Sequence, residues 1–396
     1  MTDTTQTDPT ARNEAASSAR PGDEMLPFLN NFHDIFTTIG VVILFSGLGL
    51  GAAQFQSSLQ LDPDSMASQA VSIGLLALIG IVAWGLSALL VGRQRRILPG
   101  IVLSCVFVSV ATIALIWVYV RVILAQVDVQ AFETAADSIA GISALSREAF
   151  QAALADLPWS LRLIPVVCGG AALLVSAMYY FSFRLPFAGG LTGLAVVIFA
   201  MLAWLVIDPF TVVRFNPAIN LLMGLALFLA GIVFDARDPA RTTRLSGTGF
   251  WLHFFAAPML LSAAVTLAIG GATIDGASGL ASGPVFLPLD SDANALYAAS
   301  VSLIVIAVFA LISLLINRRA LIVSGLLTTG VALAVLVNEL GLDGAGVAAV
   351  TLLVLGGIVV LLGIAWTPVR RVLTAPFPKA GVFGRIIPPV AHGHEG

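Results

Sequence analysis

Apolar residues in this chain are grouped in ten runs, which follow one another from about residue 35 to residue 366 with polar segments between them. Each run is close to the about 20 residues that an α-helix needs to cross the hydrocarbon of a bilayer. The pattern therefore predicts an all-α fold, a polytopic bundle of about ten transmembrane helices. The predicted spans are 35–54, 71–92, 97–120, 163–182, 188–207, 217–234, 248–270, 295–316, 320–338 and 345–366.

The fourth and fifth runs are separated only by the segment Ser182–Pro186. One long kinked helix is therefore an alternative to two spans. Because the combined length of the two runs is about twice what a bilayer requires, two spans fit the pattern better.

Polar segments flank the predicted bundle, which extends from residue 33 to residue 371. Residues 1–32 lack the basic and apolar regions of a cleaved secretory signal, so we expect a disordered tail followed by a first helix that serves as an uncleaved signal anchor. Residues 372–396 are expected to form a second tail.

Two predicted outer loops, 126–160 and 271–293, are long enough to carry a function. In the first, Ser146 can cap a helix whose apolar residues share one face. That helix either lies flat at the membrane interface or forms a lid or a docking element for a protein partner. The second loop is rich in Gly, Ser, Pro and Asp without periodicity, and we expect it to be irregular.

The composition agrees with a membrane protein. Hydrophobic residues make up 58% of the chain, charged residues 10%, and the mean hydropathy is +1.00. A soluble domain is about 45–50% apolar and about 25% charged, so soluble enzymes, disordered chains and disulfide-stapled secreted domains are excluded. The net charge of −3 is too balanced for electrostatic capture of nucleic acid, and the bilayer is the partner we expect.

Basic residues predict the orientation, because short loops rich in Lys and Arg stay in the cytoplasm. In the ten-span arrangement, 15 of the 19 basic residues fall on one side, which also holds both termini. These are Arg12, Arg20, Arg93, Arg95, Arg96, Arg184, Arg237, Arg241, Arg244, Arg318, Arg319, Arg370, Arg371, Lys379 and Arg385. We therefore expect both termini to be cytoplasmic.

Candidate chemistry is concentrated between Phe234 and Pro258. Polar groups inside hydrocarbon are costly and mark functional sites by default, and His253 lies just inside the membrane here. The orientation places the start of the first span on the same side, so seven residues can form one polar site at the cytoplasmic mouth of the bundle. They are His33, Asp34, Asp235, Asp238, Arg241, Arg244 and His253. Alternatively, the Arg and Asp side chains neutralise one another in a loop, and His253 bonds to a neighbouring helix.

The same stretch carries a resemblance. The pattern F-D-x-x-D-P-x-R-x-T-R-x-S followed by F-W-L-H-x-x-A-A-P resembles a group of uncharacterised proteobacterial polytopic inner-membrane proteins, as does the segment from Leu26 to Phe36. The match covers about a tenth of the chain, and Gly247 stands where that pattern has an acidic residue. The resemblance implies a bacterial inner membrane and no particular activity.

Other motifs do not indicate a chemistry. The triplet Asn216-Pro217-Ala218 is shared with aquaporins, but that fold needs two copies, and we expect the triplet to begin the sixth span. His392 and His394 could contact a metal but lack the further ligands that a metal site needs. The chain carries no nucleotide-binding, hydrolase, metalloprotease or haem motif, so we expect no metal, no cofactor and no catalytic residues.

Three classes of function remain. The first is a permease-like protein, or one that handles lipids or small molecules, with the polar cluster as its site. The second is a membrane scaffold, assembly or sensor component that binds partners through the 126–160 loop. The third and least favoured is a membrane-embedded enzyme that uses His253, because no second catalytic group accompanies it. No predicted span has an acidic residue near its middle, which argues against an ion-coupled carrier.

Overall fold

The computed structural model describes residues 32–62, 65–124, 158–238, 244–270, 292–317 and 344–376, together with residue 148 and four residue pairs between 325 and 338. All regular structure within these residues is helical. The α-helices are α1 (Phe32–Ser58), α2 (Met66–Ser87), α3 (Leu98–Leu124), α4 (Trp159–Arg162), α5 (Ile164–Phe183), α6 (Pro186–Ile207), α7 (Pro209–Arg214), α8 (Asn216–Arg237), α9 (Arg244–Gly270), α10 (Asp292–Ile316) and α11 (Gly344–Thr374).

Six helical segments of the described chain are long and apolar enough to cross a membrane, and they coincide with the first six predicted spans. They are His33–Ser58, Met66–Arg93, Leu98–Ile123, Ile164–Phe183, Pro186–Ile207 and Asn216–Arg237. Helix formation follows from the composition, because an apolar segment in lipid must satisfy its own backbone hydrogen bonds. The described part of the chain is therefore an all-helical, membrane-type bundle.

The later predicted spans match the described helices less completely. The seventh lies within α9, and the eighth lies within α10, whose apolar part is the shorter segment Leu303–Ile316. The tenth corresponds to α11, which bends by 52° between Ala345–Leu361 and Gly363–Thr374 and counts as a seventh span-capable element if taken as one. Gly363 is the first residue after the bend, where the lack of a side chain makes the helix easier to bend. Most of 320–338 lies outside the described residues, so ten spans stays a prediction.

The alternative of one kinked helix for the fourth and fifth runs is wrong. α5 and α6 are separate helices joined by Arg184 and Leu185, and Arg184 ends α5 in the left-handed conformation with φ of 49°. Gly169 packs against Phe199, and Gly189 packs against Tyr180, which requires an antiparallel pair.

Consecutive helices pack as hairpins, most extensively α8 with α9, α5 with α6 and α2 with α3. α6 also packs on α9, and α3 packs on α5, so the hairpins form one bundle. An aromatic core joins α2, α3 and α5, with Trp84 beside Phe107 and Phe183 at ring-centroid distances of 5.0 and 4.9 Å. Within it, the Tyr179 hydroxyl lies 2.9 Å from Ser87 Oγ.

Contacts between helix ends bring several turns to one end of the bundle. Asp34, near the start of α1, pairs with Arg96 in the turn before α3, and the start of α3 lies against Leu185. Pro186, at the start of α6, lies against Gly247 near the start of α9. We call this the basic end. It includes Arg93, Arg95, Arg96, Arg184 and Arg237.

Candidate functional site

Asp235 lies on a helix and not in a loop, since α8 continues to Arg237, three residues past the end of the predicted sixth span. The helix begins at Asn216 with Pro217 in its first turn, as the sequence predicts, because proline is accommodated where the backbone N–H has no helical partner. The side chain of Asp235 is only 12% exposed. A carboxylate is therefore held inside the basic end of the bundle.

His253 is the partner of Asp235. Its Nε2 lies 3.1 Å from Asp235 Oδ2, and the imidazole is fully buried. Phe228, two turns before Asp235 on α8, meets the imidazole edge-on at a centroid distance of 4.9 Å. The ring is thus held between a carboxylate and an aromatic side chain. We call Asp235 and His253 the buried pair.

The second imidazole nitrogen, Nδ1, has no hydrogen-bond partner among the described residues. A carboxylate oxygen accepts hydrogen bonds, so Nε2–H of His253 is the donor to Asp235 Oδ2. Nδ1 is the ring atom for which the described residues supply no partner.

Two glycines make room for the buried pair. A Cβ on Gly231 of α8 would stand 2.8 Å from His253 Cε1, and a Cβ on Gly249 of α9 would stand 2.5 Å from Asp235 Oδ1. Each polar residue lies four positions after the glycine on its own helix and packs against the glycine of the other. Sequence reasoning missed both glycines, although the small-residue spacing typical of close membrane helices was a usable signal.

A third helix supports α9 from another side. Gly190 and Gly193 of α6 lie directly against Trp251 and Leu252, the two residues that precede His253 in the sequence. Gly189 of α6 also lies against Thr248. α9 is therefore packed closely against α6 and α8, and this packing determines the direction of the His253 side chain.

Gly247 has a packing role as well. A Cβ at this position would stand 2.9 Å from Pro186 Cβ. An acidic side chain, which the resemblance leads one to expect here, does not fit against the start of α6 in this arrangement.

Asp34 belongs to a different group of side chains. It lies 3.6 Å from Arg96, whose guanidinium also donates to Thr37 Oγ1 at 2.6 Å and to the carbonyl of His33 at 3.3 Å. The His33 side chain is exposed, and α1 packs on α2 and α3. Among the described residues, the ionic partner of Asp34 is Arg96. That all seven predicted residues form one cluster stays a prediction.

The remaining candidates lie around the turn between α8 and α9. Asp238 is buried, and its backbone N–H donates to the carbonyl of Asp235 at 3.2 Å. Arg241 lies outside the described residues, and of Arg244 only the helical backbone at the start of α9 is described. The predicted 126–160 and 271–293 loops also lie almost entirely outside them. In the described chain, no group of three His, Cys, Asp or Glu side chains could hold a metal ion.

An apolar cavity of about 240 Å³ lies among α9, α10, α11 and the residues Gly325, Leu326 and Thr329. Thr329 is the only residue with a polar side chain among the described lining residues, and its hydroxyl donates to the carbonyl of Gly325 at 2.9 Å. Ala257, one turn after His253, lines the cavity, as does Phe309, which packs with Ala257 and Phe228. The cavity therefore adjoins the side of α9 that carries the buried pair.

Comparisons with known proteins do not assign the chain to a family. No protein-family model matches the chain, and no curated protein and no solved structure is significantly similar to it. The class that the fold defines is an integral-membrane-type helical bundle. The resemblance noted for the 234–258 stretch remains a prediction.

Proposed function

We propose that this protein is permease-like and handles a lipid or another small molecule in the membrane, with the buried pair at the centre of its site. The observation that supports this is the buried contact between Asp235 and His253 in a largely apolar helical bundle. Ionisable residues within membrane bundles most often belong to a substrate or proton pathway.

Stability alone is a weak explanation for the pair. Replacing a buried ionic or strongly polar pair by well-packed apolar side chains is often neutral or stabilising. In addition, Nδ1 of His253 has no partner in the described chain. A purely structural role for the pair does not explain this unpartnered nitrogen. A buried ring nitrogen that the described residues leave unpartnered suits a ligand or water.

For the membrane arrangement, we propose ten spans in a bacterial inner membrane with both termini in the cytoplasm. The basic end of the bundle supports this orientation, since basic turns stay cytoplasmic. It contains Arg93, Arg95, Arg96, Arg184 and Arg237. Reporter fusions at residues 65, 140, 240 and 285 test it. Fusions at 240 should report a cytoplasmic location, and those at 65, 140 and 285 a periplasmic one; a cytoplasmic signal at 285 would overturn the topology.

The functional proposal is tested by purification in a gentle detergent, followed by mass spectrometry of bound lipids, small molecules and proteins. We expect the intact protein to retain a lipid or small molecule that His253→Ala and Asp235→Asn lose. Ser104→Ala is the matched control, because Ser104 is equally buried but lies on α3. Equal retention in all variants would contradict the proposal. A stoichiometric protein partner without a bound small molecule would instead favour a scaffold or sensor component.

A further inference from the structure

We infer that the apolar cavity beside α9 holds one hydrocarbon chain of a membrane lipid. This inference rests on the proposed function, because it names the class of molecule that the same site takes. The cavity wall is built by α9, α10 and α11, and its members include Ala257, Ala310, Leu355 and Val359.

The chemistry of the wall selects an apolar occupant. The described lining side chains are hydrocarbon, apart from Thr329, whose hydroxyl proton is already donated to a carbonyl. Water needs two to four polar partners in a cavity, and the described part of this wall does not supply them. An apolar cavity of about 150 Å³ stays dry and binds benzene. One of about 240 Å³ therefore accommodates a larger apolar group.

A lipid chain is the occupant that can reach this wall. Ile358 and Val359 line the cavity and still expose 38% and 40% of their surfaces, so this part of α11 is accessible from outside the bundle. Neighbouring side chains on the outer faces of α10 and α11 are large, apolar and exposed, among them Ile304 and Leu353. In a bilayer such faces meet acyl chains, which are the most abundant apolar groups there.

The buried pair lies near one end of the cavity, although neither of its residues is among the described lining residues. His253 precedes Ala257 by one turn on α9 and lies closer to the basic end of the bundle. Phe228 contacts the His253 ring and packs in the same cluster as Phe309, which lines the cavity. An amphipathic lipid lying along the helices would place its hydrocarbon chain in the cavity and its polar group toward His253.

Photolabelling tests the inference. The protein is reconstituted in liposomes containing phosphatidylethanolamine with a diazirine in one acyl chain, irradiated, and mapped by mass spectrometry. We expect labelling of cavity-lining residues in 303–310 and 355–359. Ala310→Phe and, independently, Ala257→Leu should remove most of that labelling by filling the cavity. Ile304→Phe, on the exposed face of the same helix as Ala310, should leave it unchanged.

Labelling that is confined to lipid-facing residues, or that persists in both filled variants when they elute as monodisperse protein, would overturn the cavity site. His253→Ala separates this inference from the proposed function. If His253→Ala retains the bound molecule while Ala310→Phe loses cavity labelling, the cavity site stands and the role of the buried pair is wrong. If His253→Ala loses the bound molecule while the filled variants keep their labelling, only the cavity site is wrong.

Discussion

Asp235 and His253 stand at equivalent positions on two antiparallel helices: each follows a glycine by four residues and packs against the glycine of the opposite helix. α8 and α9 approach each other closely. This close approach explains both the contact distance of 3.1 Å and the lack of space for a Cβ at either glycine. A polar pair and a small-residue helix contact are thus parts of one structural feature.

Gly231→Ala should destabilise the protein by about 1–3 kcal/mol, because the added methyl group collides with the His253 ring in a closely packed interface. Gly85→Ala is the control: its Cβ would meet nothing within 4 Å, so alanine should be neutral or stabilise the helix by up to about 1 kcal/mol. Thermal unfolding in detergent measures both. Equal stability of the two variants would contradict the close approach of α8 and α9.

Asp235→Leu should cost about 1–3 kcal/mol, because it leaves the buried Nε2–H of His253 without an acceptor. Asp235→Asn should cost less, since its amide oxygen can still accept that hydrogen bond. Combining Asp235→Leu with His253→Leu should recover part of the loss, and a double-mutant cycle should give a coupling of about 0.5–3 kcal/mol. Additive effects in the cycle would mean that the two side chains do not interact.

Arg96→Gln should loosen the start of α1, because Arg96 joins Asp34, Thr37 and the carbonyl of His33. The change in overall stability should stay within about 1 kcal/mol, since the ion pair is partly exposed. Hydrogen exchange of the amides in residues 33–38 should become faster. Arg95→Gln, at the exposed neighbouring position, should leave that exchange as it is; an identical response of both variants would argue against the ion pair.

Arg370→Met should destabilise the protein by about 1–3 kcal/mol. Arg370 is only 5% exposed, and its Nε donates to the carbonyl of Leu314 in the last turn of α10 at 3.1 Å, where a cation also complements the helix dipole. Arg371→Met is the matched control, because Arg371 is exposed on the same helix. Thermal unfolding distinguishes the two, and a larger effect at Arg371 would contradict the contact between α10 and α11.

Sequence patterns were informative for helices and weak for contacts. Six predicted spans match span-capable helices, because an apolar run near 20 residues has few stable alternatives in lipid. The predicted sixth span ends at residue 234, whereas α8 continues to Arg237 and directs Asp235 into the bundle. The sequence identifies both Asp235 and His253 as candidates, but it does not show that they are partners.

The sequence by itself determined the class of the protein, the positions of most helices and the short list of polar residues worth examining. Only the tertiary structure decided that Asp235 pairs with His253, that Asp34 pairs with Arg96, and that an apolar cavity lies one turn beyond the buried pair. The physical reason is that hydropathy is a property of each segment, whereas a contact depends on which faces of two helices meet. At the buried pair, that choice is made by Gly231 and Gly249, where the lack of a side chain lets α8 and α9 come together.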